Sequence, residues 1–587
     1  MARVWSEIEA LGLNDAEQAL VAACKAGEVC VLGFERPEGP DPEREIRARE
    51  VRAEVLRYLI LGGCENCRVS EGGVELVGAY IKGQLNLSYQ TIVWRASFPL
   101  CLFDQPLVVQ RGAMRGLDLS GSSLPGLIAN GTKIDGDLRL VGSKITGDGL
   151  ILAQSTITGD IECHGAELSS ESGYALNAEG VQISGSVALH NRFTAEGGAS
   201  LSGAVIGGQL VCDGGRFHCR KGTAQEGDWH ALSAQGAQVK GGVYLRQGFQ
   251  SKGEVSLSGA KISGQLTCVR GRFSNPQGDA LNCQSALIDG DVLLREGFEA
   301  IGTTNLRGAS IIGSIAFDGG SFRKSDGQAL TMEQARINGS FLWRDVSVPQ
   351  GRIVLASAKV GTVADDLASW PEAGRLILDG FTYDRISSAF TDVAQRLEWL
   401  ARGTVWKGDF HPQPYSQLAK VYRGMGHEGA AREVLIERNR LLAVNQRKRD
   451  KVAARELGWV SADWANVSIP FRAGLDLLSR WVVGYGFAPF RSLGALLVLW
   501  LVASWLAFAA WHEGSMVPNS DVILTSSAWQ GFEGDRWAGA NWSALGAPGQ
   551  DWETFSALGW GVDLVVPILD LGQRAAWAPS TARGAWG

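Results

Sequence analysis

Charge is scarce in this sequence. Only 20% of the 587 residues are Asp, Glu, Lys or Arg, and the formal net charge is −7. That balance argues against a general nucleic-acid binder, whose footprint is basic. Cofactor signatures are lacking too. A dinucleotide site needs G-x-G-x-x-G at a strand-to-helix junction with an acid ~20 residues on, and no strand–helix alternation is found. Gly484-Tyr485-Gly486 lies between apolar helical segments and lacks the third glycine. No G-x-x-x-x-G-K-[ST] phosphate loop occurs. No cofactor is therefore evident. Met1 to Leu20 has early acids and no apolar run, so a signal peptide is not expected, and the ten cysteines read as free thiols in a reducing compartment. Cys212 and Cys268 look like core residues. His164, His190, His218 and His230 lack ligand spacing such as H-x-x-x-H, and each is expected to face solvent on a coil.

What the chain has in surplus is glycine. Its 76 glycines are near twice the usual ~7%, and most mark a repeat. Ala-Leu pairs end at Leu176, Leu232, Leu281 and Leu330, at spacings of 56, 49 and 49. Phe193, Phe249 and Phe298 keep the same intervals, as do Leu201, Leu257 and Leu306, and Phe217, Phe273 and Phe322. Inside each long repeat a shorter one, Ala-x-Ile-x-Gly-x-Leu-x-Leu, occurs twice. Its glycines are Gly185, Gly208, Gly241, Gly264, Gly290, Gly313 and Gly339, alternating at 23 and 26 with one gap seven longer. Gly83, Gly136, Gly147 and Gly159 carry the motif earlier. Leu138-Arg139-Leu140 and Leu266-Thr267-Cys268 alternate with period 2, which means strand. A short strand cannot bury its apolar side alone; stacked coils can.

The fold class is accordingly mainly β, a right-handed parallel β-helix. Leu210, Leu266 and Ile315 should stack inside, as should Cys212, Cys268 and Phe317. The marker glycine suits a corner where a side chain would crowd the bend or φ is positive. The residue after it is polar or Gly (Gln84, Asp137, Asp148, Asp160, Ser186, Gln209, Gly242, Gln265, Asp291, Ser314, Ser340), a column expected to face water. Asp135 with Asp137, and Asp289 with Asp291, flank marker glycines. Such pairs serve as acid and base or bind calcium elsewhere, but polar residues beside a corner glycine are ordinary turn chemistry.

Six segments follow. Residues 1–72 read as a helical cap: Asn14-Asp15-Ala16-Glu17 starts a helix toward Cys24, and Glu43 to Leu61 reads as a second, amphipathic helix. Cys64-Glu65-Asn66-Cys67 is the one candidate redox pair or half zinc site. No second Cys/His pair lies nearby, so a plain turn is the simpler reading. Residues 73–385 are the solenoid, less regular from Ser88 to Gly126. Residues 386–458 hold a helix from Ile386 to Leu400 and a helix pair, Tyr415 to Gly424 and Glu428 to Leu442. The pair resembles a single tetratricopeptide-type hairpin, and serves as a cap. Residues 459–491 are juxtamembrane, 492–511 a transmembrane helix, and 512–587 a Trp-rich tail.

The transmembrane reading rests on Ser492 to Trp511, 20 residues without a charge. At ~1.5 Å per residue that crosses the ~30 Å hydrocarbon layer. Trp511 suits an interfacial anchor. Arg447, Lys448, Arg449 and Lys451, then Arg472, Arg480 and Arg491, precede it, while His512 to Gly531 has no Lys or Arg. The positive-inside bias puts the solenoid in the cytoplasm, with the basic residues against anionic lipid. Residues 559–572, interrupted by Asp563, Pro567 and Asp570, are too short to cross and read as interfacial or re-entrant.

Arg52-Ala53-Glu54-Val55-Leu56-Arg57, the Gly-Ala-x-Ile-x-Gly coils, Pro414-Tyr415-Ser416-Gln417-Leu418-Ala419 with Val434-Leu435-Ile436, Gly484-Tyr485-Gly486-Phe487-Ala488-Pro489 and Val566-Pro567-Ile568-Leu569-Asp570-Leu571-Gly572-Gln573 carry a resemblance. The chain resembles a bacterial family that joins a helical segment, a pentapeptide-like β-solenoid, a helix pair and C-terminal membrane segments. The resemblance implies an inner-membrane location and the label membrane-associated oxidoreductase. It also implies a second membrane helix beyond the Pro-Ile-Leu-Asp-Leu-Gly-type motif, where this sequence stops. Three functions stand open: a membrane-tethered scaffold whose solenoid face binds a protein or polymer; an oxidoreductase acting through Cys64 and Cys67; and a small pore formed by oligomers.

Overall fold

The computed structural model describes all residues except 1–4, 11, 38–41, 65–66, 172, 220–229, 388–391, 407–408, 457–472, 488–489, 546, 567 and 584–587. The chain divides into two compact units, Met1–Ala430 and Ala431–Gly587.

The first unit is a parallel β-solenoid of about 13 turns. Its strands, many only two residues long, collect into two large parallel sheets of 24 and 21 strands. Register makes the apolar columns explicit. Leu210, Val243, Leu266, Val292 and Ile315 are successive partners, and all five are fully buried. Cys212, Cys268 and Phe317 are also fully buried. The stretch Ser88–Gly126 belongs to the same stack: Ala96, Leu117 and Leu138 are in register. Its coils look irregular because they are 21 residues long, not 23 or 26.

Two phenylalanine series in the sequence become one stack. Phe193, Phe217, Phe249, Phe273, Phe298 and Phe322 lie ring on ring, with centroids 5.1–5.5 Å apart. Marker glycines stack as well. Gly208 donates to the Gly185 carbonyl, Gly241 to that of Gly208, Gly264 to that of Gly241 and Gly290 to that of Gly264, at 2.8–3.0 Å. A Cβ on Gly264 would lie 2.7 Å from the Gly242 nitrogen and 2.8 Å from the Gly241 carbonyl carbon. Crowding by the coil below, rather than positive φ, demands glycine there.

The next column explains its polarity. The Asp137 carboxylate accepts the Asp160 N–H (3.1 Å), Asp160 that of Ser186 (2.6 Å) and Asp291 that of Ser314 (2.7 Å). The Ser314 hydroxyl accepts the Ser340 N–H at 3.0 Å. Each side chain satisfies a backbone donor one coil on, which strand pairing leaves free. One member departs from the expected exposure: Gly242 is buried, with the Tyr244 ring where its Cβ would be.

Both ends are closed. Asn14 caps the helix Asp15–Ala26 through a capping box with Glu17. Within Glu43–Leu61 the sequence pattern suggests one helix, but only Pro42–Ala48 and Ala53–Ile60 are helical. Between them Glu50–Arg52 is a strand pairing with Tyr80–Lys82, and Cys30–Val31 pairs with Leu76 and Val77. The end coil's exposed backbone groups outbid local helix propensity, and the cap itself supplies a partial coil. Fully buried Glu17 then accepts from the Arg52 guanidinium at 2.6 and 2.7 Å.

At the other end, the helix expected from Ile386 begins only at Val393, because Thr382–Ile386 is the last strand. Arg396 from this helix donates to Asp365 at 2.6 and 2.9 Å, both residues fully buried, and Trp370 Nε1 adds a third bond at 2.7 Å. Gln413–Gly424 and Glu428–Glu456 form the expected helices, the second reaching beyond Leu442. Tyr415, Leu418, Ala419 and Tyr422 are buried on the first, and Ala431, Val434 and Leu435 on the second.

Candidate membrane-anchoring site

The soluble chemistry suggested by sequence is thin in three dimensions. Cys64 and Cys67 are directly opposed across a two-residue antiparallel hairpin; their side chains lie outside the described residues. Cys24, Cys30, Cys101, Cys163, Cys212, Cys268 and Cys283 are buried cysteines outside any disulfide. Burial pushes the Cys101, Cys163 and Cys283 thiols up to about 12, so they carry almost no thiolate at neutral pH. Among the described residues no group of three or more His, Cys, Asp or Glu could hold a metal ion. Of the aspartate pairs, Asp137 and Asp291 serve the backbone ladder described above, and Asp135 accepts the Thr158 hydroxyl at 3.2 Å. His230 corrects the solvent-facing expectation: it is 8% exposed, with Tyr174 Oη 3.4 Å from Nδ1 and Gln235 Nε2 3.1 Å from Nε2.

The site with a built character lies in the second unit. Phe490–Glu513 is one 24-residue helix of mean hydropathy 2.2, long and apolar enough to cross a membrane. It contains the expected span Ser492–Trp511. Leu493, Leu497, Val498, Leu499, Leu501, Val502, Trp505 and Phe508 are each 48–60% exposed. An apolar girdle of that size has no stable place in water. Only a stripe of small residues, Ala503, Ser504, Ala507 and Ala510, is buried.

Residues 473–482, helical, precede this rod. Leu475, Leu477, Leu478 and Trp481 stand out from them, 51–73% exposed. Gly484, Tyr485 and Gly486 follow, all with positive φ of 54°, 54° and 85°. Three left-handed residues in succession stop one helix and redirect the chain into the next. Tyr485 is not glycine, and its strain is offset by a bond: its hydroxyl donates to Asp476 Oδ1 at 2.6 Å, while Arg447 Nη2 donates to Asp476 Oδ2 at 2.9 Å. Burial, then the bond to Asp476, pushes the Tyr485 phenol up to about 12. The carboxylate thus pins the basic end of Glu428–Glu456 beside the chain's entry into the apolar rod.

The expected lipid-facing residues divide accordingly. Arg447 is committed to Asp476. Lys448, Arg449 and Lys451 are exposed on the same helix, and Arg480 and Arg491 are exposed nearer the rod. Arg472 lies outside the described residues. Trp511 is partly buried, stacked on Phe555 at 4.4 Å and edge-on to Trp577 at 5.1 Å, so its ring belongs to the tail's aromatic core. Sequence reasoning missed Asp476 and Tyr485; the Gly-Tyr-Gly triplet was the available signal. It also missed Ser504 and Gly561, where a side chain at 561 would overlap the Ser504 hydroxyl.

No protein-family model, curated protein or solved structure matches the chain.

Proposed function

We propose that the chain is a membrane-tethered scaffold: a β-solenoid held to the bacterial inner membrane by Phe490–Glu513, with the solenoid in the cytoplasm and its flat faces presented to a protein or polymer. The observation that carries this reading is the exposed apolar girdle of that helix, met at its start by exposed Lys448, Lys451, Arg480 and Arg491. Basic residues on that flank favour the cytoplasmic side and attract anionic headgroups, worth about 1 kcal/mol each near the surface. Solenoid faces built from inter-coil ladders are rigid, which lowers the entropic cost of binding an extended partner.

Proximity labelling from the solenoid's N-terminal end in native cells tests the scaffold, with one stable partner expected; recovering none at native expression would defeat it. Carbonate washing tests the tether, with the protein expected to stay in the pellet. A second reading, the oxidoreductase implied by the family resemblance, is favoured by one feature, the opposed register of Cys64 and Cys67. A Cys64→Ser/Cys67→Ser variant with undiminished cellular function would remove it.

A further inference from the structure

The rod is not alone in its apolar exposure. Ala557–Val565 forms a short helix that touches the rod along its middle. Trp500 Nε1 donates to the Leu558 carbonyl at 3.0 Å, and Gly561 is buried against Ser504. Glycine is required there because the two backbones approach too closely for a side chain. From this short helix to residue 571 most exposed side chains are apolar: Leu558, Leu564, Ile568, Leu569 and Leu571 are 45–93% exposed, with Asp570 the exposed charge among them.

The segment enters and leaves at one place. At its neck Ser556 N–H donates to Gln573 Oε1 (2.7 Å), and Gln573 Nε2 to the Thr554 carbonyl (3.1 Å). Trp577 Nε1 donates to the Glu553 carbonyl at 2.7 Å and Trp560 Nε1 to the Trp577 carbonyl at 3.1 Å. Phe555 and Trp577 both pack on Trp511, so the neck sits at the C-terminal end of the rod.

Irregular backbone survives in hydrocarbon only where its polar groups are satisfied from within. Here they are. Asp563, 5% exposed, accepts the N–H groups of Leu571 (2.6 Å), Gln573 (2.8 Å) and Arg574 (3.2 Å). The Val566 carbonyl takes the Leu569 N–H at 2.9 Å.

We infer that residues 556–572 form a re-entrant hairpin that enters the bilayer beside the C-terminal half of the rod and returns to the face it came from, its outward Leu and Ile side chains solvated by acyl chains. This rests on the reading of Phe490–Glu513 as a membrane span. Continuity decides the occupant: a helix bonded to the middle of the rod shares the rod's solvent.

The test is cysteine accessibility in the full chain with Cys64, Cys67 and Cys219 replaced by serine, in native membranes opened by freeze–thaw so that both faces meet an impermeant maleimide. Val522→Cys, 80% exposed in the tail, should label fast. Val498→Cys in the rod, and Leu564→Cys and Ile568→Cys in the hairpin, should label at least ~10-fold more slowly, since the hydrocarbon excludes the charged reagent. Fast labelling at 564 and 568 with 498 still protected overturns the hairpin and leaves the span. Fast labelling at all three overturns the span itself. Protection at 564 and 568 that vanishes on dilution into excess lipid assigns the face to a second copy of the chain and overturns the lipid assignment.

Discussion

Glu17 and Asp365 each carry a buried negative charge at one end of the solenoid, and each depends on a guanidinium. Burial alone would push the Glu17 carboxyl up. Hydrogen bonds from the Arg52 side chain and backbone and from the Asn14 backbone outweigh it and hold the carboxyl below its ordinary value. A group lowered by folding stabilises the fold fully above the unfolded value, about 4.3 for Glu, and loses that contribution as pH falls through the folded value. Hydrogen-exchange protection of Asp15–Ala26, taken relative to the intrinsic exchange rate at each pH, should therefore fall in acid below about pH 4, and Glu17→Gln should flatten that dependence. At the other end, Arg396→Met leaves Asp365 buried and unpaired, and denaturant melts should report a loss of about 3–5 kcal/mol. Neither pair was legible in the sequence. Asp365 and Arg396 are 31 residues apart, and nothing local distinguishes them from surface charges. The cysteines were half legible: the coil pattern placed Cys212 and Cys268 in the core, while Cys30 belongs to a strand the pattern did not suggest. A maleimide at neutral pH should leave all seven buried thiols unmodified until the protein is unfolded, as checked by intact mass.

At the level of single elements, the coil reads clearly because its physics is periodic. An inward residue must be apolar, the corner is glycine, and the residue after it, where it is Asp or Ser, lends an acceptor to the next coil. These features recur at 23 and 26 residues, so the columns can be counted in the sequence. The phenylalanine stack was only half visible. The stronger self-similarity runs over two coils, and it separates rings that touch. Gly264→Ala should cost about 1–3 kcal/mol by overpacking although its φ is ordinary, and Phe249→Ala about 3–5 kcal/mol through the cavity left in the stack. Thermal melts of the two variants check both. The misread elements are those where solenoid geometry overrules local pattern. Glu50–Arg52 looks helical but completes an open sheet edge, and Thr382–Ile386 does the same at the far end.

For the molecule as a whole, the decisive term is the unburied rod. Placing a charge at its centre, as in Leu501→Arg, should cost about 2.5–3.5 kcal/mol of insertion. The carbonate-resistant fraction should fall, while Leu501→Val should leave it unchanged. The apolar helix was legible from composition alone, but its partner surface was not: small residues in an apolar run look like filler until Gly561 is seen lying on Ser504.

The stack of phenylalanines also bears on length. Phe249 and Phe298 occupy equivalent rungs 49 residues apart, each resting on a neighbour of the same kind. Excising residues 250–298 would set Glu299 after Phe249 with every inner column resealed, so the reach of such a molecule is free to grow or shrink in two-rung steps without any new interior being invented.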